Sequence, residues 1–218
     1  LGVSGSWKYT GICLGYAASP LTRKGAAPGD SLYLTGQAGT GNLMAAMKLF
    51  PVEKETSIPM HGGRIQFPLR MKESEIIKAF AGCCIDTSDG VLNALITLAD
   101  INQTGFRVSH IPYLEGGRQI CSLLAKPQSF LFAGECGEYE LLFTVSKKRE
   151  KEFLNEVARN QLQFTYIGEV SETPERILME DGNKLDFGDF NLSARGFKSI
   201  ADYLFELTKY IAHAQGPG

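Results

Sequence analysis

The chain has 218 residues, with Lys+Arg 22 against Asp+Glu 24, a net charge of −2 and hydrophobic residues at 44%, the profile of a globular protein long enough to bury a substantial core. No basic excess exists to neutralise phosphates along a duplex, which argues against nucleic-acid binding, and no apolar run approaches the roughly 18–20 residues that a membrane span needs. Glycine is enriched, at 24 residues against an average usage of roughly 7%, so the glycines serve either turns or loops that approach a ligand.

Residues 10–17 (TGICLGYA) are predicted as a strand, and 18–30, with Pro20, Gly25, Pro28 and Gly29, as a connecting turn. SLYLTG follows as a short strand, then the loop GQAGTGN, whose Asn42 is placed as the N-cap of a helix over 43–50. Residues 51–72 are punctuated by Pro and Gly and are expected to be irregular. Ser74 is placed as the cap of a short helix ended by Gly82. CCIDT is predicted as a buried strand that enters a turn at Ser88-Asp89-Gly90. A helix over 90–101 then presents Val91, Leu92, Leu95, Ile96, Leu98 and Ala99 on a broad apolar face, and Gly105 ends it.

FRVSHI is predicted as a strand, 117–126 as a helix and FLFAG as a further strand. ELLFTVS, a charged amphipathic helix over 147–160 and FTYIGEVS have the look of a strand–helix–strand crossover. ERILMED and GNKLDFGDF suggest a hairpin turning at Asp181-Gly182. The last helix, over 197–213, has Phe197, Ile200, Leu204, Leu207 and Ile211 in one stripe, and the tail 214–218 is expected to fray. Hairpins mixed with crossovers predict an α+β fold with one mixed β-sheet covered by helices rather than a doubly wound sheet.

The cysteines (13, 83, 84, 121 and 136) are odd in number and form no CxxC pair, and the histidines (61, 110 and 213) are dispersed. Neither a disulfide framework nor a structural zinc site is expected, and free thiols in a reducing cytoplasm are the better reading. Cys83 and Cys84 should project to opposite faces of their strand. No basic-plus-apolar leader pattern follows Leu1.

Three segments could carry chemistry. Gly36-Gln37-Ala38-Gly39-Thr40-Gly41-Asn42 lies between a strand and a helix, where backbone amides and a helix N-terminus can hold a phosphate. It lacks the Lys-Ser/Thr of a P-loop and the dinucleotide-binding spacing, so a packing turn is an equal reading. Asp86-Thr87-Ser88-Asp89-Gly90 puts two carboxylates at the end of an apolar strand and before a helix. Carboxylates so clustered suit Mg²⁺, with water and substrate phosphates completing its shell, although Ser88 or Asp89 could simply cap the helix. Residues 134–140 crowd Glu135, Glu138 and Glu140 with glycines ahead of Leu141, Leu142 and Phe143, at the end of a core strand. Arg23 and Lys24 are the most plausible phosphate-directed cations, against the alternative of a solvated linker.

These segments also resemble, in order, the C-terminal half of the aminoimidazole ribonucleotide (AIR) synthase superfamily of ATP-using enzymes. Arg23-Lys24-Gly25-Ala26-Ala27-Pro28-Gly29-Asp30 followed by SLYLTGQAG is similar to that family's R-x-G-A-x-P-G-D entry. Asp86–Val91 resembles the D-x-S-D-G-L turn of its thiamine-monophosphate kinase branch. Glu138-Tyr139-Glu140-Leu141-Leu142-Phe143-Thr144 resembles that branch's G-G-E-D-Y-E-L-L-F-T. Two departures stand out: Glu135-Cys136-Gly137-Glu138-Tyr139 replaces G-G-E-D-Y, and Gly196-Phe197-Lys198-Ser199-Ile200 replaces the closing G-(Y/F)-x-H-F.

The resemblance implies an AIR synthase C-terminal-domain-like fold over 21–213. Residues 1–20 would then be the last strand and linker of an N-terminal ATP-binding domain outside this chain. It implies transfer of the ATP γ-phosphoryl group to a small phosphorylated substrate, with Asp89 and Asp86 as Mg²⁺ ligands and Arg23 stabilising charge on the transferred group. Gly36, Gly39, Thr40, Gly41, Ser88, Gly137, Glu138 and Tyr139 would line the substrate and phosphate pocket. The full-length protein would be a homodimer, and this chain alone would be inactive. A non-catalytic binding or assembly module of the same fold is the alternative, supported by the altered 134–138 segment.

Overall fold

The computed structural model describes residues 11–12, 14–49 and 67–214. Seven strands form one sheet: β1 (Ser31–Thr35), β2 (Ala81–Asp86), β3 (Gly105–Val108), β4 (Leu141–Val145), β5 (Phe164–Ser171), β6 (Arg176–Glu180) and β7 (Asn183–Asp186). Their order is β2-β4-β1-β5-β3-β6-β7. Every neighbouring pair is antiparallel except β3 and β6, which makes the expected mixed sheet.

The helices are α1 (Thr40–Leu49), α2 (Met71–Phe80), α3 (Val91–Asn102), α4 (Glu115–Leu123), α5 (Ser129–Ala133), α6 (Lys147–Arg159) and α7 (Ile200–Ala214). The two-residue period of the strands sorts their side chains onto two faces. Leu32, Leu34, Cys83, Ile85 and Leu142 join the main core with α3, α5 and α7. Tyr33, Phe143 and Val145 face the other way, onto Ile77 and Phe80 of α2 and Phe153 and Val157 of α6. The adjacent cysteines divide as their spacing predicts, Cys83 into the main core and Cys84 against the second cluster.

β4, α6 and β5 form the expected crossover. β1 lies between the two strands and is antiparallel to both, so the connection passes over a strand from earlier in the chain. The β6–β7 hairpin turns where expected, with φ 49° at Asp181 and 80° at Gly182, the paired positive φ values of a type I′ turn.

Several elements differ from the sequence-based expectations. FLFAG is not a strand: Phe130–Ala133 lie in α5, buried on all sides, and a short apolar run carries no period that separates buried strand from buried helix. Pro127 starts the turn, its carbonyl accepting from the Phe130 amide. The described part of 10–17 is not a strand either: Ile12, Leu14 and Tyr16 are exposed, and among the described residues no strand edge pairs with it. α2 starts at Met71 after a left-handed Arg70, which puts Ser74 inside the helix with its hydroxyl donating to the Met71 carbonyl.

Gly82 and Gly105 are strand residues rather than helix ends. At each, a Cβ would strike a neighbouring backbone, Gly25 O at 2.8 Å and Thr173 O at 2.1 Å respectively. Left-handed Gln103 closes α3 instead. Phe197 precedes α7 and Ile200 is exposed, so that helix packs through Tyr203, Leu204, Leu207 and Ile211. The stretch 50–66, Cys13, His61 and the tail 215–218 lie outside the described residues. Among the described residues, no helix is long and apolar enough to cross a membrane.

Candidate functional site

β4 lies between β1 and β2 and is antiparallel to both. The ends of β1 and β2 therefore meet the start of β4 at one edge of the sheet. This register brings together the three segments singled out in the sequence: the 36–42 loop after β1, the 87–90 turn after β2, and residues 134–140 before β4.

Glycine makes the convergence possible by close packing of loop on loop. A Cβ on Gly41 would lie 2.2 Å from Gly137 O, one on Gly137 2.4 Å from Ser88 O, and one on Gly90 2.3 Å from Gly134 O. These separations are far inside any van der Waals contact. Thr87 clamps the join: its amide and hydroxyl donate to Glu140 O at 2.9 and 3.2 Å, its hydroxyl accepts from Glu140 N at 3.0 Å, and its carbonyl accepts from Glu138 N at 3.0 Å.

The two buried glutamates of this edge have different partners. Glu140 receives Nε and Nη2 of Arg70 at 2.7 and 2.6 Å and the Thr35 hydroxyl at 2.6 Å. Glu138 turns to the start of α1, where its Oε2 accepts from the Thr40 amide at 2.6 Å and the Gly41 amide at 3.3 Å. Burial pushes its carboxyl up to about 7, although the backbone amides of Gly41, Gly39 and Thr40 pull the other way.

The helix N-terminus expected to face a phosphate thus receives an internal carboxylate. Glu138 also explains why α1 begins at Thr40, because a side chain from elsewhere in the chain serves its first amides. Asn42, placed as the N-cap from sequence, lies instead within the first turn. Its amide donates to Leu131 O and Gly134 O at 3.0 and 3.3 Å, and its carbonyl accepts from Cys136 N at 3.3 Å.

Within the 86–90 turn Asp86 and Asp89 are exposed, whereas Thr87 and Gly90 are buried. Asp86 accepts from Arg23 Nη2 and from its neighbour Ser88 N, at 3.4 and 3.3 Å. The Ser88 hydroxyl, ahead of that amide and Arg23, holds its carboxyl below the usual range. Asp89 pairs with Arg195 Nη2 at 3.5 Å. Tyr139, in a left-handed conformation, is half exposed with its ring 4.5 Å from that of Phe67. Gly36 meets the Glu140 and Arg70 side chains, and Gly39 meets Leu131. Among the described residues, no three His, Cys, Asp or Glu side chains are grouped to hold a metal. Asp86 and Asp89 are two exposed carboxylates on one turn.

Three features of this edge escape the sequence reading. Arg70 holds Glu140; Glu135 accepts from the Ser193 hydroxyl at 3.0 and 3.2 Å and from the Ala194 amide; and Arg195 reaches Asp89. Each joins residues far apart in the chain, and no local pattern marks them.

A family model described as AIR synthase related protein, C-terminal domain, matches residues 27–180. The thiamine-monophosphate kinase of Salmonella typhimurium is 28% identical over 176 residues, 78% of this chain and 54% of that protein. The solved structure of AaThiL complexed with AMPPCP and TMP aligns with a TM-score of 0.58 at 24% identity, covering 74% of this chain and 50% of that one. The E. coli hydrogenase maturation protein HypE aligns with a TM-score of 0.61 at 18% identity over 81% of this chain and 54% of its own. The chain spans about half the length of the curated relatives it matches most extensively.

Proposed function

We propose, because the chain belongs to the family of AIR synthase related proteins through their C-terminal domain, that it forms the substrate-side half of an ATP- and Mg²⁺-dependent phosphotransferase of the thiamine-monophosphate kinase kind. The observation that carries this reading is the single sheet edge at which Asp86, Asp89 and Arg23 meet the 134–140 segment. AaThiL complexed with AMPPCP and TMP supports a nucleoside-triphosphate donor and a phosphorylated acceptor here as well. ATP would be held mainly by an N-terminal domain of the kind the relatives' greater length accommodates, in a homodimeric cytoplasmic protein.

The donor set fits Mg²⁺, which takes one or two carboxylates and fills its remaining positions with water and substrate phosphates. Asp89 and Asp86 would hold it, and when bound it would neutralise charge on the phosphate oxygens. The chain's own residues then position and neutralise rather than form covalent bonds to substrate. The Arg23 guanidinium, beside Asp86, is suited to stabilise charge on the γ-phosphoryl group as its bond to the bridging oxygen breaks and the acceptor oxygen bonds to phosphorus. Ser88, Gly137 and Tyr139 would line the substrate and phosphate pocket together with Gly36, Gly39, Thr40, Gly41 and Glu138.

The test is thermal unfolding of the chain with Mg²⁺ plus pyrophosphate or thiamine monophosphate. A raised midpoint is expected, because a ligand that binds only the folded state stabilises it, and Asp89→Asn should abolish the rise. No rise with either ligand overturns the reading and favours the non-catalytic module, which Glu138's occupation of the α1 N-terminus also supports.

A further inference from the structure

Two arginines from opposite ends of the chain reach the exposed aspartates of the 86–90 turn. Arg23 lies 3.4 Å from Asp86 and Arg195 lies 3.5 Å from Asp89. Both ride on backbone that is pinned. Asn102 accepts from the Gly25 and Ala26 amides at 2.8 and 3.2 Å and donates to Arg23 O at 2.9 Å. Glu135 holds Ser193 and the Ala194 amide, and its own amide donates to the Tyr203 hydroxyl at 3.0 Å. The short 3₁₀ turn Ala194–Gly196 is thereby fixed at the site while the Arg195 side chain extends into solvent, with 85% of it exposed against 62% for Asp89.

We propose that Arg195 is a phosphate-positioning residue, stored on Asp89 in the free chain and transferred to a phosphate oxygen of the ligand when Asp89 takes a divalent cation. The proposal rests on the metal reading of the 86–90 turn. An ion pair this exposed is weak, so a divalent cation can displace the guanidinium at little cost. Once released, that guanidinium presents its planar fork beside the metal, where a polyphosphate bound to the metal must lie. Arg23 pairs with Asp86 at the start of the same turn, and the two arginines would together hold the phosphate chain. No bond is made or broken in this exchange; one cation replaces another on a carboxylate.

The experiment measures Mn²⁺ binding to the 218-residue chain by electron paramagnetic resonance, and pyrophosphate binding in saturating Mn²⁺ by calorimetry. Arg195→Ala should bind Mn²⁺ alone at least as tightly as the unaltered chain, because a competitor is gone. It should bind pyrophosphate about tenfold more weakly, the loss of one charge-assisted contact, and Arg195→Lys should recover part of that loss. Unchanged pyrophosphate affinity in Arg195→Ala, with Mn²⁺ still bound, overturns the proposal and leaves the metal reading standing. If the unaltered chain binds no Mn²⁺, the metal reading falls and the exchange falls with it.

Discussion

Glu138 Oε2 accepts a hydrogen bond from the Thr40 amide at 2.6 Å, across 98 residues of chain. A carboxylate normally recruited from the adjacent turn to begin a helix is here delivered from the entry to β4, the strand paired with β1. The same residue is 2% exposed, so its ionised form is held by amides and opposed by burial. Burial prevails and pushes its carboxyl up to about 7.

Stability should therefore respond to pH through Glu138. Its folded value lies above the ordinary glutamate value of 4.5, so the folded chain holds the proton that the unfolded chain releases first. The contribution is fully present below about 4.5 and is lost as pH rises to about 7. Denaturant midpoints should fall across that window in the unaltered chain, and the fall should be shallower in Glu138→Gln. Parallel pH profiles for the two proteins would refute the assignment.

Arg70 and Glu140 make the strongest ion pair of the site, bidentate and largely buried. Removing one partner of a buried pair leaves a charge without compensation. Arg70→Ala should destabilise the chain by about 3 kcal/mol in urea unfolding. Arg70→Lys should recover only part of this, because an ammonium cannot reproduce the fork. Glu140→Gln added to Arg70→Ala should be milder than the two effects summed.

Gly90 and Gly29 separate backbone strain from collision. Both have positive φ, but a Cβ on Gly29 meets nothing within 4 Å whereas one on Gly90 strikes Gly134 O at 2.3 Å. Gly29→Ala should cost about 1 kcal/mol, and Gly90→Ala at least about twice that. Equal losses on thermal or chemical unfolding would mean that the loops can part without cost.

Burial pushes the Cys84 thiol up to about 12 and that of Cys121 up to about 11, which suppresses the reactive thiolate. Iodoacetamide at pH 7.5 should label both slowly in the folded chain and rapidly in guanidinium, read by mass spectrometry of the peptides. Rapid labelling of the folded chain would show that these sites open.

Local pattern explains what is legible in the sequence. β5 is bounded as its residues suggest, and Asp181-Gly182 marks its hairpin because only a few dipeptides accept two successive positive φ values. The 86–90 turn and the crossover helix are equally plain. α5 is not, since Phe130–Ala133 are buried all round and show neither period. Asn42 is read as a cap because its type and place fit one, yet the cap comes from Glu138, a partner that no window of sequence contains. Arg195 is invisible for the same reason. The glycine excess resolves into several uses: Gly182 turns a hairpin, whereas Gly41, Gly90 and Gly137 let three loops touch.

The placement of β4 between β1 and β2 also governs when the site can come into being. The side-chain hydrogen bonds at the start of β4 span from 53 residues, between Thr87 and Glu140, to 106, between Thr35 and Leu141. Loops of that length must close before any of these bonds is made, a slow step in folding. On the ribosome, β1, α1, β2 and α3 all emerge before Glu138 and Glu140 exist to join them. Until β4 slots into the gap, the chain exposes two unpaired strand edges and an uncapped helix, the state most open to wrong pairing.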